Sequence, residues 1–368
     1  MKILVVSKGV AWRPSVAGEF VYIDGLCRRL AAAGHEVTLS TQAEPEQQKQ
    51  YPNLRALYVP PSSKTIAPLR QFVQVGRGLS AFDVIHVHGG EGFYFALRRR
   101  LRGFVPVVAT VNVEPTRQKF LEETTWRKYE RKTLQWADKV IGRSEHACNA
   151  VSEEFEIPPE KVHRVYPAVS QRFFDVYGQR STEDESAVLP MLLVGALERG
   201  RGVDVVITAL SYLIRHRRVA LAIVGPEREG ARKEYFDIAH KLGVHSSVVI
   251  EGCSTHLGMP SIYRDAALLL HPAKSIGFPL AVAEAMATGL PVIASRAGAV
   301  PEIITDEENG FLVEHDDPQA FAQRIRGLID NAELRRRVGA AAHEEAKRQF
   351  SWDRNIEQTV NTYEAAIK

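Results

Sequence analysis

The sequence predicts an α/β protein made of two doubly wound parallel-sheet domains. At 368 residues the chain is long enough to bury two separate hydrophobic cores. Short apolar runs alternate with helix-length amphipathic segments, which is typical of parallel strands joined by helical crossovers. The polar stretch 179–186 shows neither strand nor helix periodicity and divides this alternation into two series. We therefore predict one domain over residues 1–168, a connection at 179–186, and a second domain over residues 189–351.

Each series contains apolar runs that predict strands. The first series comprises Ile3–Val6, Val37–Leu39, Val84–Val87, Val105–Val111 and Lys139–Ile141. The second comprises Met191–Val194, Ala220–Val224, Val248–Ile250, Leu268–Leu270 and Val292–Ala294. In open parallel sheets, ligands bind beyond the carboxyl ends of the strands. We therefore expect the two domains to face one another, with loops from both lining one cleft.

Composition and cysteine usage restrict the class of protein. The apolar and charged fractions, 45% and 25%, are ordinary for a soluble globular chain and argue against a disordered or fibrous one. The opening run MKILVV is too short for a signal peptide or a membrane span. Cys27, Cys148 and Cys253 lie far apart without metal-ligand spacing, which favours reduced thiols. We expect a cytoplasmic location and no nucleic-acid partner.

The positive charge is concentrated in the first half of the chain. Residues 1–170 carry 24 Lys and Arg against 17 Asp and Glu, whereas the remaining residues carry 23 against 27. Within the basic half, the segment FALRRRLRGF (95–104) sets Arg98, Arg99, Arg100 and Arg102 among aromatic and leucine side chains. Such a segment can bind an anionic membrane surface or an acidic acceptor. A solvated helix end is the alternative, because helix C-termini also attract arginine.

The segment 277–304 predicts a cradle for a nucleoside diphosphate. Gly277 lets the backbone approach a ligand, and Pro279 presets φ for the helix that follows. The first N–H groups of that helix are expected to be unpaired, and together with the helix dipole they suit a phosphate. Glu284, one turn into the helix, can accept hydrogen bonds from a ribose diol. The predicted donor-binding residues here are Gly277, Phe278, Pro279, Leu280 and Glu284.

This segment resembles the donor-site signature of the GT-B retaining glycosyltransferases of family 4. The resemblance extends over nearly the whole chain, in order, through GHEVTLST (34–41), FDVIHVHGG (82–90), VIGRSEHACNAV (140–151), LLVGALERGRGVD (192–204), LAIVGP (221–226) and YRDAALLLHPA (263–273). It implies the GT-B fold and a transferase that moves a sugar from a nucleoside-diphosphate donor to a glycan or lipid-linked acceptor. It also implies that the final helix, residues 352–368, crosses back to the first domain.

The resemblance implies how the departing diphosphate is neutralised. The family usually places an arginine and, five residues later, a lysine in the loop after the first strand of the donor domain. Here those positions hold Ala196 and Arg201, and either Arg199 or Lys274 is expected to replace the missing arginine. No Asp-x-Asp follows a strand, and Asp316-Asp317 is expected to cap a helix, so we predict that neither a metal nor another cofactor takes part.

The sugar-binding positions depart further from the family. Of the family's two glutamates eight positions apart, Glu284 is the second, while Ile276 occupies the first position. Asn112 stands where many relatives have a histidine. These changes leave two hypotheses. The donor sugar is atypical, for example one deoxygenated at the position that Ile276 faces. Alternatively, catalysis is impaired and the protein binds a nucleotide sugar or glycan as a partner subunit. Packing of Ile276 beneath the loop, with Lys274 or Ser275 recognising the sugar, is a further alternative.

Two residues of the first domain complete the predicted site. We predict that Asn112 and His88 are catalytic, with His88 pointing into the cleft because it precedes Gly89-Gly90 at a strand end, and His86 pointing to the opposite face. Gly18 is expected to open the first helix toward the cleft. The predicted donor-binding set is Gly18, Arg199, Arg201, Gly225, Cys253, Lys274, Gly277, Phe278, Pro279, Leu280 and Glu284.

Overall fold

The chain divides into two compact units. A computed structural model describes residues 1–7, 18–41, 52–60, 66–103, 105–111, 125–179, 188–198, 200–213, 219–255, 257–274, 277–329 and 331–368. The first unit contains Met1–Ala168 and Trp352–Lys368, and the second contains Val169–Ser351. The division thus falls before the polar stretch 179–186, of which residues 180–186 lie outside the described residues.

The first unit is built on a parallel sheet with seven described strands in the order β3-β2-β1-β4-β5-β6-β7. The strands are β1 Lys2–Val6, β2 Glu36–Thr41, β3 Leu54–Tyr58, β4 Val84–His88, β5 Val107–Thr110, β6 Lys139–Gly142 and β7 Val162–Arg164. All five predicted strands are confirmed. The sequence patterns missed β3 and β7, the two edge strands, because their short segments, LRALY and VHR, include polar residues and lack a continuous apolar run.

Helices cover the first sheet. They are α1 Gly18–Ala32, α2 Ala67–Val75, α3 Phe93–Arg102, α4 Thr125–Trp136 and α5 Glu145–Phe155, together with the C-terminal helix Trp352–Ile367. The Trp352 indole stacks on Tyr22 with ring centroids 5.5 Å apart, and the Arg29 guanidinium lies 4.2 Å above it. A Cβ at Gly25 would lie 2.7 Å from the indole, so only glycine lets α1 approach this closely.

A buried histidine joins the C-terminal helix to the sheet. His86 Nδ1 lies 2.7 Å from the Tyr363 hydroxyl, and its Nε2 lies 2.7 Å from Thr110 Oγ1. Both imidazole nitrogens therefore have partners inside the core. Burial, with a smaller contribution from the Arg143 charge, lowers the pKa of His86 to about 3. The imidazole is consequently neutral at physiological pH.

The second unit is built on a parallel sheet with six described strands in the order β10-β9-β8-β11-β12-β13. The strands are β8 Leu189–Val194, β9 Val219–Val224, β10 Val248–Gly252, β11 Leu268–His271, β12 Val292–Ser295 and β13 Phe311–Val313. The helices are α6 Gln171–Asp175, α7 Val203–Ser211, α8 Ala231–Lys241, α9 Met259–Asp265, α10 Leu280–Ala287, α11 Val300–Ile303, α12 Pro318–Ile329 and α13 Ala332–Phe350. All five strands predicted for this series are confirmed.

The strand order fixes where the second unit can bind a ligand. Counted from β8, the order is 3-2-1-4-5-6, that of a dinucleotide-binding sheet. The order reverses between β8 and β11, and in such sheets the crevice beyond their carboxyl ends is the binding position. Within the described residues, no helix is both long and apolar enough to cross a lipid bilayer.

Candidate functional site

Glycines pack closely against one another at the carboxyl ends of β8, β9 and β10, beside this crevice. Gly195 N donates to Val224 O at 3.0 Å, and Gly225 N donates to Gly252 O at 2.8 Å. A Cβ at Gly225 would lie only 1.9 Å from Gly195 O. Gly225 is therefore required by backbone packing, independently of any ligand. The exposed Cys253 follows Gly252 directly.

The loop that carries Arg201 packs against the loop after β11. Gly202 has φ 72°, and a Cβ there would lie 2.5 Å from Pro272 O. This glycine is the N-cap of α7, so Arg201 stands immediately before the helix at the carboxyl edge of the sheet. Ala196, at the position where the family has its arginine, is partly exposed, and Arg199 lies outside the described residues. Among the described residues, Arg201 thus supplies a positive charge near the carboxyl ends of β8 and β11, where the strand order reverses.

His271 ends the central strand β11 and is only 7% exposed. Burial, and secondarily the Arg201 charge, lower the pKa of His271 to about 4. Among the residues that the structure describes, its buried Nε2 has no hydrogen-bond partner. His271 was not among the predicted site residues, although a histidine that closes the apolar run LLLH marks the end of a strand.

Glu284 is held by a tyrosine that sequence reasoning also missed. The Tyr263 hydroxyl donates to Glu284 Oε2 at 2.9 Å. Burial raises the pKa of Glu284 to about 7, and the Tyr263 hydrogen bond opposes that shift. Burial, followed by the charge of Glu284, raises the pKa of Tyr263 well above its ordinary value. The carboxyl group is therefore fixed in place and titrates near neutral pH.

At the start of α10, several backbone N–H groups that were predicted to be unpaired form hydrogen bonds within the chain. The Pro279 carbonyl accepts from Val282 N at 2.9 Å and from Ala283 N at 3.1 Å, and Leu280 N donates to Phe278 O at 2.9 Å. The prediction that the first N–H groups all lack internal partners was wrong. As N-cap, Pro279 turns its carbonyl into the first turn of the helix and satisfies donors there.

Two further predicted groups flank this helix start. Gly277 is partly exposed, whereas the ring of Phe278 packs edge-on against Phe350 with centroids 5.4 Å apart. This contact anchors the segment 277–280 to the core of the second unit. Ile276 lies outside the described residues.

Lys274 is engaged in an ion pair. Its Nζ pairs with Asp316 Oδ2, and the hydrogen bond from Lys274 lowers the pKa of the Asp316 carboxyl. Asp317 Oδ1 accepts from Ala320 N at 2.8 Å, which confirms the predicted helix cap for that residue. Within the described ranges, no group of three or more His, Cys, Asp and Glu side chains is arranged to hold a metal ion.

In the first unit, the predicted orientation of the two histidines was wrong. The rings of His86 and His88 lie on the same face of β4, with centroids 4.4 Å apart, because residues two apart in a strand share a face. His88 is 1% exposed and buried like His86, so its predicted exposure to a cleft is not found. Asn112 lies outside the described residues, and α1 begins at Gly18 as predicted.

The arginines of α3 have different environments. Arg99 forms a bidentate ion pair with Asp138, with N–O distances of 2.9–3.1 Å. Arg100 lies 5.6 Å from the ring centroid of Trp136, and Arg102 is exposed in the last turn. The helix ends at Gly103 in the left-handed conformation. Arg99 therefore has a structural role, and the cluster is not one uniformly solvated surface.

Two units, each built on a parallel sheet covered by helices, define the GT-B class of fold. Residues 16–172 match the family model described as Glycosyltransferase Family 4, and residues 182–345 match the model described as Glycosyl transferases group 1. The chain belongs to this glycosyltransferase family.

The chain is similar to D-inositol 3-phosphate glycosyltransferases. It is 29% identical to that of Streptomyces scabiei over 252 residues, covering 65% of this chain and 56% of the relative. It is 27% identical to that of Corynebacterium kroppenstedtii over 388 residues, covering 95% and 86%. Among solved structures, Anabaena Alr3699/HepE in complex with UDP superposes with a TM-score of 0.80 at 17% identity, covering 99% of this chain and 100% of that one. This structural likeness establishes the GT-B fold.

Proposed function

We propose that the protein is a metal-independent retaining glycosyltransferase that moves a sugar from a nucleoside-diphosphate donor to a glycan or lipid-linked acceptor. The observation that carries this proposal is that Arg201 follows β8 and the start of α10 follows β11, so both stand at the carboxyl ends of neighbouring parallel strands. Glu284 is held by Tyr263 one turn into that helix. A cation and a fixed carboxyl group at this edge suit a diphosphate and its ribose.

Arg201 neutralises the departing diphosphate in this proposal. As the bond between the sugar and the diphosphate breaks, charge develops on the phosphoryl oxygens, and a prepositioned guanidinium stabilises it. The acceptor hydroxyl oxygen bonds to the anomeric carbon on the face from which the diphosphate leaves, and its proton passes to the departing diphosphate oxygen. No step requires a divalent ion if side chains and helix ends carry the positive charge.

Glu284 accepts hydrogen bonds from the ribose hydroxyls. Tyr263 orients the carboxyl group, whose remaining oxygen lone pairs can accept hydrogen bonds from a bound diol. The Anabaena structures with UDP and with UDP-glucose support a uridine nucleotide as the first donor to test.

The absence of an arginine at Ala196 has an energetic cost. A hydrogen bond to a charged group contributes about 1.5–3 kcal/mol, or roughly ten- to a hundredfold in rate or affinity. Lys274 can compensate only by exchanging Asp316 for phosphate. This departure, with Ile276 and Asn112, favours the second candidate, a catalytically impaired protein that binds a nucleotide sugar or glycan as a partner subunit.

We propose that residues 1–168, in the first unit, bind the acceptor. The related D-inositol 3-phosphate glycosyltransferases are named for a phosphate-bearing compound, and the basic first half suits an anionic acceptor. Arg98, Arg100 and Arg102 would bring the protein to the inner face of a membrane as a peripheral, cytoplasmic enzyme, whereas Arg99 remains paired with Asp138.

A donor panel separates the two candidates. The purified chain is incubated with UDP-, GDP- and dTDP-sugars, and both binding and the slow hydrolysis of each donor are measured. We expect one nucleotide class to bind and to be hydrolysed, and Arg201→Ala to reduce both. Binding without turnover, with water and with every acceptor offered, would reject the enzyme and leave the binding subunit.

A further inference from the structure

His271 occupies the position in the second sheet that is best suited to contact a ligand. It is the last residue of β11, whose neighbours in the sheet are β8 and β12. Leu268 and Leu270 of the same strand belong to the hydrophobic cluster on one face of the sheet, so His271 points to the other face. The helix α10, which carries Glu284, packs against β11 and β12. Because His271 is the last residue of β11, it lies at the carboxyl edge of the sheet, where the strand order reverses between β8 and β11.

His271 is buried where two loops of this edge of the sheet pack together. Pro272, the next residue, contacts Gly202 so closely that no side chain fits there, and Arg201 is near enough to influence the titration of His271. The loop after β8 and the loop after β11 therefore pack against each other at Gly202 and Pro272, and Pro272 lies directly beside His271 in the chain.

The polarity of this buried side chain is unexplained by the fold alone. Leaving a buried polar atom unsatisfied costs about 1–3 kcal/mol, and the described part of the chain offers no partner to His271 Nε2. A leucine would continue the apolar run of β11 without that cost. Because the ring is neutral at pH 7, it can carry one N–H beside Arg201 without adding a second positive charge.

We propose that His271 is a further donor-binding residue, whose Nε2–H donates a hydrogen bond to a phosphoryl oxygen of the nucleoside diphosphate beside Arg201. The inference rests on the proposed function and adds a neutral donor to the charged one. A phosphoryl oxygen is only an acceptor, so the imidazole proton belongs on Nε2 in the bound state. Arg201 and His271 then approach the same diphosphate from the loops after β8 and β11.

Calorimetry with UDP and with uridine tests the assignment. We expect His271→Leu to weaken UDP binding about 10- to 100-fold and to leave uridine binding unchanged, because only the diphosphate contact is lost. His271→Gln, which retains an N–H at a similar distance, should recover part of the affinity. His245→Leu, at an exposed histidine before β10, is the matched control and should bind UDP like wild type.

Thermal unfolding of the ligand-free variants distinguishes binding from structure. His271→Leu should unfold at the same or a higher temperature than wild type, since it removes an unsatisfied polar atom. A merely structural histidine would instead lose stability and bind UDP normally. As a measurement on the wild type, ¹⁵N NMR of the His271 ring should show an Nε2–H signal that shifts when UDP is added. No shift under saturating UDP would overturn the assignment.

The two proposals fail in different ways. If wild type binds UDP and His271→Leu binds it equally well, the role of His271 is rejected while the donor site stands. If wild type binds none of UDP, GDP and dTDP, the proposed function fails and this inference fails with it.

Discussion

Tyr263 donates its hydroxyl hydrogen to Glu284 Oε2 at 2.9 Å, joining the helix before β11 to the helix after it. Tyr263 is 0% exposed, and its ring packs edge-on against Phe173 with centroids 5.5 Å apart. The carboxyl group is therefore positioned by the core rather than by solvent. A group held this way needs little reorganisation to accept a ribose.

Replacing Glu284 should weaken nucleotide binding. We expect Glu284→Ala to cost about 1–3 kcal/mol in the binding of UDP, because a charged hydrogen-bond acceptor is lost. Tyr263→Phe should cost less, since it frees the carboxyl group without removing it. Isothermal calorimetry of both variants measures the difference, and wild-type affinity in Glu284→Ala would place the nucleotide elsewhere.

The same carboxyl group should make stability depend on pH. Its folded pKa of about 7 lies above the value of about 4.5 for an unperturbed glutamate, so the folded state holds the proton more tightly than the unfolded state. Stability is then lost as pH rises from about 4.5 to 7, by at most about 1.4 kcal/mol per pH unit. Glu284→Gln should remove this loss.

Melting temperatures measured between pH 4 and 9 test that expectation. Glu284→Gln should gain on wild type as pH rises and keep a constant advantage above pH 8. Parallel curves for the two proteins would mean that the carboxylate is already well solvated or paired in the folded state.

His86 should make the stability of the first unit depend on pH in the opposite direction to Glu284. Its folded pKa of about 3 lies below the ordinary value of 6.5, so the unfolded state binds more protons between these values. Neutral His86 contributes fully to the free energy of unfolding above pH 6.5, and this contribution is lost as pH falls toward 3. The groups facing the ring are Tyr363, Thr110, His88 and Arg143.

Urea titrations of wild type and His86→Gln between pH 4 and 7 isolate this contribution. The variant is expected to be less stable at pH 7, because the hydrogen bonds to Tyr363 and Thr110 are altered, and to lose less stability on acidification. Equal pH slopes would show that another group controls acid unfolding.

The sequence predicts the sheets well because their central strands are buried on both faces. Runs such as Ile3–Val6 and Leu268–Leu270 are continuous and apolar, whereas the edge strands β3, β7 and β13 were missed because their segments are short or mixed. Resemblance to the family, through short motifs in the right order, then predicted the GT-B fold.

Contacts between distant residues could not be predicted. The hydrogen bond from Tyr263 to Glu284 spans 21 positions, and the pair Lys274–Asp316 joins two loops that no local pattern relates. His271 was overlooked for the same reason, since its importance depends on a buried nitrogen and on Arg201, not on spacing. The misassigned faces of His86 and His88 were an error in applying strand geometry.

Arg201 should act on the diphosphate and not on the nucleoside. We expect Arg201→Ala to weaken UDP binding about tenfold or more with uridine binding unchanged, and Arg201→Lys to retain part of the affinity as a single point charge. EDTA should leave donor turnover unchanged. Loss of turnover with EDTA and recovery with Mg²⁺ would contradict the metal-independent mechanism.

The arginine-rich helix α3 of the first unit should direct the protein to anionic membranes. Of the arginines in α3, Arg99 is fixed by Asp138, so the attraction is assigned to Arg98, Arg100 and Arg102. We expect co-sedimentation with vesicles rich in anionic lipid at low ionic strength and little with neutral vesicles, because exposed charges are screened over about 10 Å at 0.1 M salt.

Changing those three arginines to serine should abolish most of this sedimentation while the Arg99–Asp138 pair preserves the fold. The matched control changes Arg326, Arg336 and Arg337, three exposed arginines of the second unit, and removes the same net charge. If both triple variants lose binding equally, net charge and not this helix governs the attraction. If wild type sediments equally with neutral and anionic vesicles, or with neither, the helix end is a solvated surface and the acceptor is a small soluble molecule.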